Sequence, residues 1–130
     1  MARTSISSGI TIYKALAADE AVKALCSRVY PVYSLDEETL PYIVYERTSA
    51  QGDYNKSGQR DLFSFDVAVY AKTYGEAVDI AEAVRAALED KTFDEDGLVT
   101  KYITFRGATE TWQDDAYIVN LSFEAKTWWN

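Results

Sequence analysis

The sequence predicts an α+β domain: a mainly antiparallel sheet of about four strands with two helices packed on one face. Three observations predict it. Phe63, Phe65, Val67 and Val69 alternate with Ser64, Asp66, Ala68 and Tyr70, the period of a strand buried on one side. Val119, Leu121, Phe123 and Ala125 repeat that alternation near the C-terminus. Between the two, Ala77, Ile80, Ala81, Val84 and Leu88 fall on one helical stripe. Strands joined by loops pair antiparallel, which leaves both helices on the same sheet face.

The elements follow in order. Residues 9–27 read as helix, with Ile12, Tyr13, Leu16, Val22 and Leu25 as its buried positions. Asp19 is placed to cap a second segment starting at Glu20, so a break is expected there. Val29-Tyr30-Pro31-Val32 is a short extended piece, because proline disfavours a helical predecessor. Residues 34–39 are polar and read as a loop. Residues 41–47 form the first clear strand, opened by Pro41 where a missing donor is tolerated. Its inner face is left open between Tyr42/Val44 and Ile43/Tyr45.

A polar connection with Gly52 and Gly58 runs from Ser49 to Arg60, long for a compact domain. After the 61–70 strand, Thr73 and Glu76 have the Thr-x-x-Glu spacing of a capping box, which opens the helix to Leu88. Residues 91–97 read as an acidic turn closed by Gly97. Two long strands, 99–112 and 116–128, then flank Gln113-Asp114-Asp115, and Gly107 marks a bulge in the first. The expected order is helix, strand, strand, helix, strand, strand.

The 130 residues suffice for one domain, 1–130, with a core that needs no disulfide or metal. Apolar residues at 48% and aromatics at 14% favour a packed globule over a disordered chain. Ten tyrosines and three tryptophans exceed the needs of so small a core and suit partner surfaces. The lone Cys26 cannot form an internal bridge and reads as a buried, inert thiol. A net charge of -8 disfavours a primary role in binding nucleic acid or anionic membrane. No apolar run reaches the length of a spanning helix. Ser7, Ser8, Thr11 and Lys14 interrupt the N-terminal segment, which reads as the first helix of a cytosolic protein and not a signal peptide.

With no histidine, the serine–histidine and cysteine–histidine nucleophile arrangements are excluded. Asp94-Glu95-Asp96-Gly97 lacks the ligand spacing of a calcium loop and reads as a solvated turn. Asp114-Asp115 sits at a hairpin tip, where aspartates favour local backbone bonds. No catalytic residue, cofactor or metal site is expected. Contacts are expected from the 51–60 loop, through Gln51, Asp53, Tyr54, Asn55, Lys56 and Arg60. That loop reads equally as a surface hairpin or as an arm ordered by another subunit. Trp112, Trp128 and Trp129 are further contact candidates; Trp128 and Trp129 point to opposite faces, so one should meet solvent or a partner. Glu76, Asp79 and Glu82 make a solubilising helix face.

Several segments carry a family resemblance: Ile12-Tyr13-Lys14-Ala15-Leu16, Val29-Tyr30-Pro31, Leu40 to Tyr45, Phe65 to Tyr74, and Glu76-Ala77 with Val84 to Leu88. Together they resemble the tail-completion, or tail-terminator, proteins of long-tailed phages and prophages. The resemblance covers nearly the whole chain; residues 99–130 match only through paired strands and an aromatic end. It implies a non-enzymatic virion protein at the head–tail junction, made in the bacterial cytoplasm. Such proteins form a ring, usually hexameric, that caps the tail-tube protein, stops tube growth and offers a surface to the head-completion or connector protein. DNA passes the bore as cargo, and an acidic chain would repel its phosphates. The rival readings are another ring-forming component, such as a head-completion or tail-tube protein, and a small α+β ligand-binding module.

Overall fold

The computed structural model describes residues 3–32, 39–52 and 60–129. A 3-10 turn, Ser5–Ser7, leads into helices α1 (Ser8–Ala18) and α2 (Glu20–Leu25). Strands β1 (Val29–Pro31), β2 (Tyr42–Gly52) and β3 (Arg60–Ala71) precede helix α3 (Tyr74–Leu88). Strands β4 (Phe93–Glu95), β5 (Leu98–Gln113) and β6 (Ala116–Trp128) complete one six-stranded sheet in the order β1-β2-β3-β6-β5-β4.

This corrects the expectation of about four strands with two helices. The sheet is curled, and it is mixed because β1 runs parallel to β2 while every other pair is antiparallel. Three α-helices are present among the described residues. Of the two additional strands, β1 falls in the piece expected only as short and extended, and β4 in the expected turn; each has three residues, too few to show a period of two. The acidic turn expected at 91–97 holds β4 at its centre, leaving Asp96 and Gly97 as the bend, both at positive φ (52° and 90°).

Local chemistry sets the helix boundaries. The Asp19 carboxylate accepts from the Val22 N–H (3.0 Å), which starts α2 and breaks the first helix where capping predicts. Thr73 Oγ1 accepts from the Glu76 N–H (3.2 Å) and opens α3. Of the positions expected inside the first helical region, Ile12, Leu16 and Val22 are buried, but Tyr13 and Leu25 are exposed. Tyr13 lies off the stripe of Ser8, Thr11, Ile12 and Leu16 on which α1 is buried, and the break at Asp19 separates Leu25 from that periodicity.

The core lies between the helices and one sheet face. Ile43 and Tyr45 of β2, Phe63, Phe65, Val67 and Val69 of β3, and Val119, Leu121, Phe123 and Ala125 of β6 all point inward. That settles the inner face of β2 in favour of Ile43/Tyr45. Phe65 stacks on Phe63 and Phe123 at 5.5 and 5.2 Å between centroids. The Arg85 guanidinium covers Phe105 at 3.9 Å and is forked onto the Glu89 carboxylate at 3.0 and 3.2 Å. Cys26 is buried beside α2, and desolvation pushes its thiol pKa up.

Irregularities in β5 bend the sheet. Register shifts fall between Lys101 and Thr104 and between Phe105 and Gly107, with Gly107 at φ 158°. The first shift holds Tyr102 at φ 57°, and its ring meets Trp128 edge-on at 5.6 Å. The β5–β6 hairpin closes through Asp114 and Asp115, at φ 52° and 63°. Two consecutive positive φ values match the primed turns whose twist suits a hairpin.

Candidate functional site

The sheet places the contact candidates unevenly. Gln51 is exposed near the end of β2, and Arg60 opens β3. Asp53, Tyr54, Asn55 and Lys56 lie outside the described residues. Trp128 is half-buried, with the Arg60 guanidinium 5.8 Å from its ring centre. Trp129 is also half-buried. Trp112 is different: it is 57% exposed at the far end of β5.

Trp112 belongs to a cluster that the sequence reading did not assemble. Strand alternation puts Glu110 and Trp112 on the helix-bearing side, opposite Val119 and Tyr117. Tyr74, at the start of α3, packs edge-on to Tyr117 at 5.9 Å. A hydrogen bond to Glu110 and the negative charge of that carboxylate push the Tyr74 phenol pKa up. These residues line a shallow hollow of about 210 Å³. The aromatic surplus pointed to such a surface, but Tyr74 and Trp112 are 38 positions apart and share no local period.

At the other side of the sheet, Ile6 and Val32 are 73% and 66% exposed, and Ile10 is also exposed. With Ser7, Gly9, Pro31, Tyr45 and Arg47 they line a groove of about 370 Å³. Arg47 Nη1 donates to the carbonyls of Ser5 (2.7 Å) and Ile6 (3.2 Å), tying the N-terminal turn to β2. Ser5 Oγ donates to the Asp61 carboxylate at 2.6 Å and fastens that turn to β3.

The open face is mostly polar or aromatic. Asp66 accepts from Asn120 Nδ2 (3.1 Å) and Ser122 Oγ (2.9 Å), and Tyr42 stacks on Tyr70 at 4.6 Å. The curl is deep enough for Val32 and Thr109, from opposite edges, to line the same hollow of about 390 Å³. Glu46 and Asp66, register partners on β2 and β3, also line it. Among the described residues, no group of three or more metal-ligating side chains occurs, and no helix is long and apolar enough to cross a membrane.

The sheet edges complete the picture. Among the described residues no strand pairs with the outer edge of β2 beyond Tyr45, where β1 ends, or with the outer edge of β5 beyond Thr100, where β4 ends. Unpaired edges template pairing with another chain. The assembled features are those of a small building block that works through its outside: a rigid aromatic core, two open edges and apolar patches beside each.

Comparison with known proteins identifies the family. The model of the family described as tail completion protein gp17 matches residues 10–127, and the chain belongs to that family; it is a structural phage tail-completion protein. The fold is similar to a chain in the virion of a native gene transfer agent particle, with a TM-score of 0.77 at 21% identity, covering 89% of this chain and 90% of that one. A second solved structure, carrying no functional description, has a TM-score of 0.65 at 14% identity and covers 95% of this chain and 96% of that one. No curated protein matches the chain.

Proposed function

We propose that this chain is a tail terminator: copies of it close into a hexameric ring on the last ring of tail-tube protein, stop tube growth and offer the surface that joins the head. The observation that carries this reading is the family match over residues 10–127. The similar fold found in a gene transfer agent virion supports a virion location for this chain; the terminator role puts it at the head–tail junction, after assembly in the host cytoplasm. The shape fits the role. A ring needs heterologous contacts, in which one patch of each copy meets a different patch of the next. The Trp112 cluster and the Ile6–Ile10–Val32 groove are two such unlike patches. No step of this role requires catalysis, and the net charge of -8 leaves DNA as repelled cargo rather than a ligand.

The test is to add purified protein to polymerising tail-tube subunits and measure tube lengths by electron microscopy. A terminator shortens the tubes and appears as extra density at one end. Tubes of unchanged length with bare ends would refute the reading. Binding to head vertices without tube capping would favour a head-completion protein instead.

A further inference from the structure

The two patches differ in composition. Trp112 projects beside Glu110 at the β5 edge, and the apolar groove at the β1–β2 edge carries Arg47 in its wall. We propose that these are the two halves of the contact between neighbouring copies: the Trp112 indole of one copy seats in the Ile6–Ile10–Val32 groove of the next, with Glu110 facing Arg47. The proposal rests on the ring reading above and names its contact.

Three observations support a second copy of this chain as the occupant. The first is charge. Copies with a net charge of -8 repel one another, so association needs local opposite charges around an apolar centre. Glu110 and Arg47 supply that pair. Nη1 of Arg47 is used on two carbonyls, and a guanidinium has five donors to distribute.

The second is strand direction. In the order β2-β3-β6-β5 every step is antiparallel, so β5 runs opposite to β2. Rotation about a ring axis keeps each strand's sense along that axis. A neighbour therefore presents its β5 edge antiparallel to β2, the arrangement the rest of the sheet already uses.

The third is sidedness. Tyr45 faces the core, and Arg47, on the same side of β2, bonds the turn before α1; Glu110 and Trp112 also lie on the helix-bearing side. Both patches thus meet without one copy being turned over. An exposed tryptophan entering an apolar pocket, with a charged pair at its rim, is the composition of an energetically dominant contact.

The experiment compares the wild-type chain with Trp112→Glu and Ile10→Glu by sedimentation and light scattering, alone and with tail-tube protein. Both positions are exposed, so thermal melts should match the wild type, and Trp112→Phe should keep part of the association. The wild type is expected to form closed multimers, and each variant to associate at least about 30-fold more weakly. An equimolar mixture of the two variants should stop at dimers, because the intact Trp112 of one fits the intact groove of the other while their remaining patches are both spoiled. Multimers from either variant alone, or a mixture that stays monomeric, would overturn the contact while leaving the terminator reading standing. A wild type that neither self-associates nor caps tubes would overturn both.

Discussion

Replacing Phe65 by alanine removes the ring at the centre of the aromatic core. Phe65 is fully buried, stacked between Phe63 and Phe123, with Tyr45 tilted against it at 5.6 Å. Truncating a buried phenylalanine costs about 3–5 kcal/mol, the lost transfer energy plus the cavity that remains. The upper half of that range applies here, because three rings lose a partner and pairs of this kind contribute roughly 0.5–1.5 kcal/mol beyond area. A domain stable by about 5–15 kcal/mol gives up about a quarter or more of its margin. With a urea slope near 2 kcal/mol/M, the unfolding midpoint should fall by about 2 M. Urea titration followed by tryptophan fluorescence measures this directly. Ser64→Ala, one residue away on the open face, is the control and should shift the midpoint by less than about 0.3 M, equivalent to roughly 0.5 kcal/mol. Equal shifts for the two variants, or a Phe65→Ala shift below about 0.5 M, would refute the claim that the core lies only on the helix-bearing side.

Two further predictions follow from local geometry. Thr73→Ala removes the acceptor of the Glu76 N–H and should cost about 1 kcal/mol in the same titration, with Thr73→Ser restoring most of it; no loss would mean that the cap contributes nothing to α3. Desolvation raises the Tyr45 phenol above its ordinary value of 10.0, so the folded chain holds that proton more tightly than the unfolded chain. The resulting stability is complete below the unfolded pKa and is lost as pH rises from there through the higher folded value. Alkaline titration should therefore show steeper destabilisation above about pH 10 for the wild type than for Tyr45→Phe, and parallel curves would contradict this.

Some of this architecture was written in short stretches of sequence. The alternation in β3 and β6, the cap at Thr73, the break at Asp19 and the bulge at Gly107 all depend on residues within a few positions of one another. Each was legible because period, capping and backbone preference are local properties. The family resemblance drew on the same segments, and the match over residues 10–127 agrees with it. The prediction of four strands failed where an element was too short to carry a period, at β1 and β4, and where pairing was parallel. The interior place given to Tyr13 failed because that residue lies off the buried stripe of α1, and the one given to Leu25 failed because the break at Asp19 ends that stripe.

The candidate contact was legible only in part. Aromatic excess singled out Trp112 as a surface residue, but also Trp128, which the fold uses to pack against Tyr102 and Arg60. Alternation assigns a side of a strand; it does not say whether another element covers that side. The sequence alone determined the repeating elements, the acidic character and the absence of histidine chemistry. Tertiary structure decided which strand edges stay unpaired, how far the sheet curls, and that Ile6, Ile10, Val32 and Arg47 share one groove. Those outcomes join residues dozens of positions apart, and only packing of the whole chain brings such residues into contact.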